Sequence, residues 1–130
     1  MNTHISEKKR FSIIARAVSF KHAIRGIGVI FKTQHNAWVH AAAAVVVIAL
    51  GFIFQISEAE WGLLVLSMAA VLAAEGFNTA LEIDIDLTSP DYHPYARDTK
   101  DVAAGAVLLT VLGAVIVGLI IFLPKIVILL

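Results

Sequence analysis

Apolar residues in this chain fall into three long runs separated by short polar segments. The runs cover residues 38–56, 61–81 and 102–123. Each is close to the ~20 residues that an α-helix needs to cross a hydrocarbon core of ~30 Å. Trp61 opens the second run, and tryptophan is enriched at membrane–water interfaces. The pattern therefore predicts an all-α integral membrane protein with three transmembrane helices, in a single domain covering residues 1–130.

Residues 12–33 carry a helical pattern with two different faces. Its large apolar residues recur within about 60° of one another on a 3.6-residue helix; they are Phe20, Ile24, Ile27 and Phe31. Its basic residues lie roughly 100–140° away from that stripe; they are Lys21, Arg25 and Lys32. An apolar face flanked by cations is typical of a helix lying in the membrane interface. The alternative is a helix packed on the rest of the protein.

Composition and charge support a membrane location and predict an orientation. The chain is 59% hydrophobic and 15% charged, against about 45–50% and about 25% in soluble domains. Seven basic residues precede the first run and none lies in the 57–60 connection; they are Lys8, Lys9, Arg10, Arg16, Lys21, Arg25 and Lys32. The positive-inside rule then places the N-terminus in the cytoplasm. We expect a multi-pass protein of the bacterial inner membrane, with residues 82–101 forming a cytoplasmic helix extension and loop.

Four polar residues at the end of the second run share one helix face about 80° wide. They are Glu75, Asn78, Glu82 and Asp86. Like charges on one face repel, and an acid at membrane depth points to a functional site. The plainer alternative is a carboxylate that reaches to the interface from a helix end. Asp84 points to the opposite side of the helix.

This face has the residue types of a phosphoryl-transfer site. Carboxylate oxygens suit Mg²⁺, and Lys100 beside Asp101 can meet a phosphate as a point charge. The sequence has no Walker A loop and no kinase-type glycine-rich loop. His40 in the first run favours a hydrogen bond between helices over metal ligation. A non-enzymatic assembly that binds or conducts cations stays open as an alternative.

Several segments together resemble the prokaryotic diacylglycerol kinase family. They are Glu-Gly-Phe-Asn-Thr-Ala-Leu-Glu at 75–82, Asp86, Ser-Pro-Asp-Tyr-His-Pro at 89–94, Lys100-Asp101 and Ala-Ala-Gly-Ala-Val at 103–107. The loop at 89–94 more closely resembles the branch that includes undecaprenol kinases. The resemblance implies a homotrimer with an N-terminal surface helix. It also implies ATP- and Mg²⁺-dependent phosphorylation of a lipid alcohol, undecaprenol or diacylglycerol, at the cytoplasmic interface, and no nucleic-acid partner.

The resemblance also implies roles for individual residues. Glu75 would be the catalytic base, and Glu82 would hold metal. The substrate- or nucleotide-binding set comprises Asn78, Glu82, Asp86, His93, Lys100, Asp101 and Arg16. The chain departs from the family pattern at Gln34, where an acidic metal ligand is expected. An amide oxygen can still ligate Mg²⁺ there, but it brings no charge.

Overall fold

The computed structural model describes residues 12–129, which form four α-helices. They are α1 (Ile13–Thr33), α2 (His35–Ile53), α3 (Glu58–Thr88) and α4 (Pro94–Ile128). The predicted basic residues Lys8, Lys9 and Arg10 lie outside the described residues. The helix predicted over 12–33 is present as α1, and its position in the membrane interface stays a prediction.

Three of these helices, α2, α3 and α4, are long and apolar enough to cross a membrane. This confirms the prediction of an all-helical, multi-pass membrane protein. At 1.5 Å per residue, the 31 residues of α3 and the 35 of α4 are about 46 Å and 52 Å long, against a hydrocarbon core of ~30 Å. Both helices are therefore longer than the hydrocarbon core is thick.

Local capping explains where α3 and α4 begin. Ser57 accepts a hydrogen bond from the Glu60 backbone, and the Glu60 carboxylate accepts one from the Ser57 backbone, which is a complete capping box. Pro94 occupies the first turn of α4, where its missing N–H leaves no acceptor unpaired. As predicted, the segment around Pro90 and Pro94 separates the two helices, which leave residues 89–93 as the loop.

Several helix bounds differ from the predicted spans: α4 begins at Pro94, so residues 94–101, expected in the extension and loop before a span starting at 102, are helical. α2 ends at Ile53, before the predicted boundary at Ile56, because the chain turns at Phe54 and Gln55. α4 continues through Pro124 to Ile128, whereas the third run was expected to end at Leu123. Proline inside a helix removes one hydrogen bond, and membrane helices tolerate this where neighbouring groups hold the backbone.

Ion pairs at both ends join α3 and α4 into an antiparallel hairpin. Lys100 on α4 contacts Asp86 near the end of α3, and Lys125 contacts Glu60 at its start, with N–O distances of 2.5 and 2.6 Å. Glu60 lies just ahead of the uncharged part of α3. Its pKa is lowered to about 2, mainly by the hydrogen bond from Lys125 and then by those from Ser57. This second pair holds the last turn of α4 beyond Pro124.

The apolar core lies at the Glu60–Lys125 end of the bundle. Its buried members are Ile56, Leu64, Ile121 and Phe122. Gly51 on α2 packs there against the Trp61 indole of α3. Buried polar side chains instead occupy the other half of α3; they are Glu75, Asn78 and Thr79. The fold therefore separates an apolar, stabilising end from a polar end.

We expect Gly51→Ala to destabilise the protein by about 1–3 kcal/mol, the usual range for overpacking. A methyl group there would lie 2.6 Å from Cη2 of Trp61, so the rigid indole would have to move. The measurement is the thermal unfolding midpoint in detergent micelles. Gly62→Ala is the control, because its added Cβ meets nothing within 4 Å. Equal midpoints for Gly51→Ala and wild type would show that this contact is unimportant.

Candidate active site

Glu75 is the most deeply buried charged residue of the described chain, with 1% of its surface exposed. Its Oε1 lies 3.0 Å from Nε2 of His40 on α2. The Glu75 backbone carbonyl also accepts a 2.8 Å hydrogen bond from the Thr79 hydroxyl, one turn further along α3. Burying a carboxylate is costly without a hydrogen-bond partner. The expected interhelical hydrogen bond of His40 is therefore present, and its partner is the candidate base.

Glu82 lies two turns beyond Glu75 on α3 and accepts hydrogen bonds from two side-chain amides. The Nδ2 of Asn78 donates to Glu82 Oε1 at 3.1 Å, and the Nε2 of Gln34 donates to Glu82 Oε2. Gln34 is the residue between α1 and α2. The structure thus brings both candidate metal ligands, Glu82 and Gln34, together, with the amide nitrogen of Gln34 facing the carboxylate. Their role as metal ligands stays a prediction.

Asn78 has a buried carbonyl oxygen that is not satisfied. The residue is 6% exposed, and its Oδ1 has no hydrogen-bond partner among the described residues. Asn78 also lines a cleft of about 740 Å³ between α3 and α4, together with Tyr95, Asp98 and Thr99. An unpaired buried acceptor costs roughly 1–3 kcal/mol. It is therefore available to a donor or a cation that enters this region.

All the remaining residues predicted for the site except Arg16 line a second cleft, of about 400 Å³, beside the 89–93 loop. This loop cleft includes Asp86, His93, Arg97, Lys100 and Asp101. The hydrogen bond from Lys100 to Asp86 raises the pKa of Lys100, which lies ahead of the uncharged part of α4. The ammonium therefore stays charged at neutral pH. Basic and acidic groups together can bind phosphates and their counter-cation.

Two residues of the loop cleft have additional structural partners. The Nδ1 of His93 accepts from the backbone of Tyr95 at 3.3 Å and caps α4. Arg97, which the sequence analysis did not single out, lies 3.5 Å from Asp101. The spacing of four residues between Arg97 and Asp101 on a helix could have predicted this ion pair from the sequence.

Arg16, the predicted site residue on α1, lies far from Gln34 at the other end of that helix. It occupies the first turn of α1, about 27 Å along the helix axis from Gln34. Within one chain, α1 therefore does not bring Arg16 and Gln34 together. The predicted binding role of Arg16 stays a prediction.

The helix rise orders these groups by depth. If Trp61 marks one interface, Glu75 lies about 21 Å further along α3, inside a hydrocarbon core of ~30 Å. Glu82 lies about 10 Å beyond Glu75, at the opposite boundary. Asp86 and the loop cleft follow outside it. With Trp61 at one interface, the order of groups along α3 is an acid within the hydrocarbon core, a carboxylate at its boundary and a charged cleft outside it.

Comparison with known proteins gives the family of a chain with this arrangement of acidic, amide and basic groups. Residues 21–122 match the model of the family described as prokaryotic diacylglycerol kinase. The chain belongs to the prokaryotic diacylglycerol kinase family and is a lipid kinase.

Three relatives illustrate its position in that family. The chain is 43% identical to an undecaprenol kinase of Bacillus subtilis over 107 residues, which cover 82% of this chain and 87% of that protein. It is 41% identical to a diacylglycerol kinase of Synechocystis over 108 residues, covering 82% and 62%. It is 26% identical to a diacylglycerol kinase of Escherichia coli K12 over 104 residues, covering 75% and 85%.

We expect Gln34→Glu to make the stability of the protein depend on Mg²⁺. Two carboxylates would then replace the hydrogen bond between Gln34 and Glu82, and a cation between them would offset their repulsion. The thermal midpoint should fall in EDTA and rise by several degrees with millimolar Mg²⁺.

Gln55→Glu is the matched control, because it adds the same charge in the turn after α2, at the other end of the bundle. A Gln34→Glu protein with the Mg²⁺ response of wild type would contradict a metal position at this junction.

Proposed function

We propose that this lipid kinase transfers a phosphoryl group from ATP, with Mg²⁺, to the hydroxyl of a lipid alcohol at the cytoplasmic interface. The observation that carries the proposal is the burial of Glu75 inside a spanning helix, on the same face as Asn78 and Glu82. A carboxylate at this depth meets the hydroxyl of a lipid whose chains stay in the bilayer. The same face then leads outward to groups suited to phosphates.

On the lipid side, Glu75 acts as the general base. One carboxylate oxygen, Oε1, is engaged by His40, and no described side chain donates to Oε2. Oε2 can therefore take the proton of the lipid hydroxyl as the hydroxyl oxygen attacks the γ-phosphorus of ATP, whose bond to the β-phosphate oxygen breaks to release ADP. A positioned base contributes about 10²–10⁴-fold to such a reaction.

On the phosphate side, the residues present fit Mg²⁺. Glu82 and the unpaired Oδ1 of Asn78 offer two neighbouring oxygen ligands. Among residues 12–129 there is no group of three or more acidic, histidine or cysteine side chains that could hold a metal alone. Mg²⁺ commonly completes its shell with water and substrate phosphates. When bound, it offsets phosphate charge, while Lys100 meets the phosphates directly.

The assembly and orientation belong to the same proposal. Large apolar side chains are exposed along the single chain on α2, α3 and α4, including Val45, Leu66, Leu109 and Ile120. Lipid or neighbouring subunits cover such surfaces in a membrane. We infer a homotrimer in the bacterial inner membrane, with a cytoplasmic N-terminus, as the family resemblance and the basic residues before α2 imply.

For the substrate we favour undecaprenol over diacylglycerol. The support is the 43% identity to a protein named undecaprenol kinase, over 87% of its length, together with the resemblance of the 89–94 loop to that branch. Both lipids carry one free hydroxyl group at the end of long apolar chains. The choice therefore rests on similarity rather than on the polar groups of the site.

We expect Glu75→Gln to lower turnover of the lipid alcohol by about 10²–10⁴-fold, because an amide cannot accept the proton. The measurement is transfer of labelled phosphate from ATP to lipid in mixed micelles. Asp84→Asn is the matched control, since it neutralises an exposed acid on the opposite side of the same helix. Turnover near wild type in folded Glu75→Gln would refute the assignment, and ion flux without a phospholipid product would favour a conducting assembly.

We also expect a higher kcat/KM with undecaprenol than with diacylglycerol. The two alcohols should be compared at equal mole fraction in the same detergent, with ATP and Mg²⁺ saturating. A difference of tenfold or more towards undecaprenol would support the preference. Equal values, or a preference for diacylglycerol, would overturn it without affecting the assignment of the lipid-kinase class.

A further inference from the structure

His40 is the one ionisable residue in α2 beyond its first turn, and it lies two residues after Trp38, where the predicted span begins. The rest of α2 from Ala41 to Ile53 consists of apolar residues and glycine. A polar side chain in such a helix is expensive to bury and marks a functional contact. The His40 side chain is 19% exposed, and that of its partner Glu75 is 2% exposed. The hydrogen bond between them therefore forms away from water, where geometry is tightly held.

His40 is also the only basic side chain within 4.0 Å of the Glu75 carboxylate among residues 12–129. The other described ion pairs lie at the ends of the bundle, at Asp86, Asp101 and Glu60. A buried carboxylate without a donor is strongly destabilised. Nε2 of His40 supplies that donor in the tautomer that carries its proton there.

His40 also lines an apolar groove of about 200 Å³ between α2, α3 and α4. The groove is lined mainly by small and aliphatic side chains, including Ala44, Val71 and Gly118. His40 therefore contacts the carboxylate and also forms part of the groove wall. Its ring can fix the orientation of the carboxylate while leaving Oε2 without a protein partner.

We propose that His40 is a positioning residue for the catalytic base: it donates from Nε2 to Oε1 of Glu75 and so aims Oε2 at the lipid hydroxyl. The proposal rests on the assignment of Glu75 as the base of a lipid kinase. It adds that the base works only when α2 supplies this hydrogen bond. A small displacement of a base can cost up to about 10² in rate.

Two amide variants of equal polarity test this proposal. Glutamine in His40→Gln can place its amide N–H where Nε2 stood, whereas the shorter asparagine in His40→Asn cannot reach Oε1. We expect His40→Gln to keep at least a third of the wild-type kcat and His40→Asn to lose tenfold or more. KM for ATP and for the lipid should stay within twofold of wild type in both. A residue that only stabilises the fold would not give this separation of kcat from KM.

Ser67→Ala is the control for the groove, because Ser67 lines it and bonds only to a backbone carbonyl of its own helix. Its kcat should match wild type. Should His40→Asn fail to fold, His40→Asn combined with Glu75→Gln tests the contact by stability. Removing the carboxylate as well should restore the thermal midpoint.

The outcomes separate the two claims. Equal kcat values for His40→Gln and His40→Asn, or an effect on KM alone, would overturn the role of His40. The proposed function would still stand if the wild type is active and Glu75→Gln is inactive. The role of His40 would also be overturned if His40→Asn does not fold and adding Glu75→Gln does not restore folding. An inactive wild type would instead refute the proposed function itself.

Discussion

The hydrogen bond between the His40 imidazole and the Glu75 carboxylate joins two helices that otherwise meet through apolar side chains. Because a buried carboxylate needs a donor, this contact fixes how far α2 is shifted along α3. The hydrogen bond between Gln34 and Glu82 fits the same axial shift of the two helices. Gln34 lies six residues before His40, and Glu82 lies seven residues after Glu75, which correspond to helix rises of about 9 and 10 Å. Together the two hydrogen bonds place the polar face of α3 against the α1–α2 junction.

With the helices aligned in this way, one end of the bundle is an apolar core and the other end carries the buried polar groups. At one end, Trp61 and its apolar neighbours pack tightly, and the Glu60–Lys125 pair joins α3 to α4. At the other, α3 buries an acid and leaves the Oδ1 of Asn78 unpaired. Unpaired buried polar groups cost stability, so the apolar end has to offset this cost. Such a division is expected of a scaffold whose site must meet both a lipid and charged phosphates.

Helical periodicity was sufficient to predict the helices and the common face of Glu75 and Glu82, because both depend on spacing within one helix. The break before Pro94 followed from proline chemistry. Contacts between helices were not predictable in the same way, since they depend on axial shift. The sequence marked His40 as a hydrogen-bonding residue without identifying Glu75 as its partner. It likewise gave no reason for Lys125 to reach Glu60, the contact that accompanies the continuation of α4 past Pro124.

The central claim is that the lipid hydroxyl meets Glu75 inside the membrane. It is tested most directly by photolabelling with a lipid alcohol that carries a diazirine beside its hydroxyl, followed by mass spectrometric mapping of the adducts. The account predicts adducts on α3 within about one turn of Glu75, suppressed by excess unlabelled alcohol. Adducts concentrated at the Glu60–Lys125 end, or adducts at Glu75 that the excess alcohol does not suppress, would contradict it.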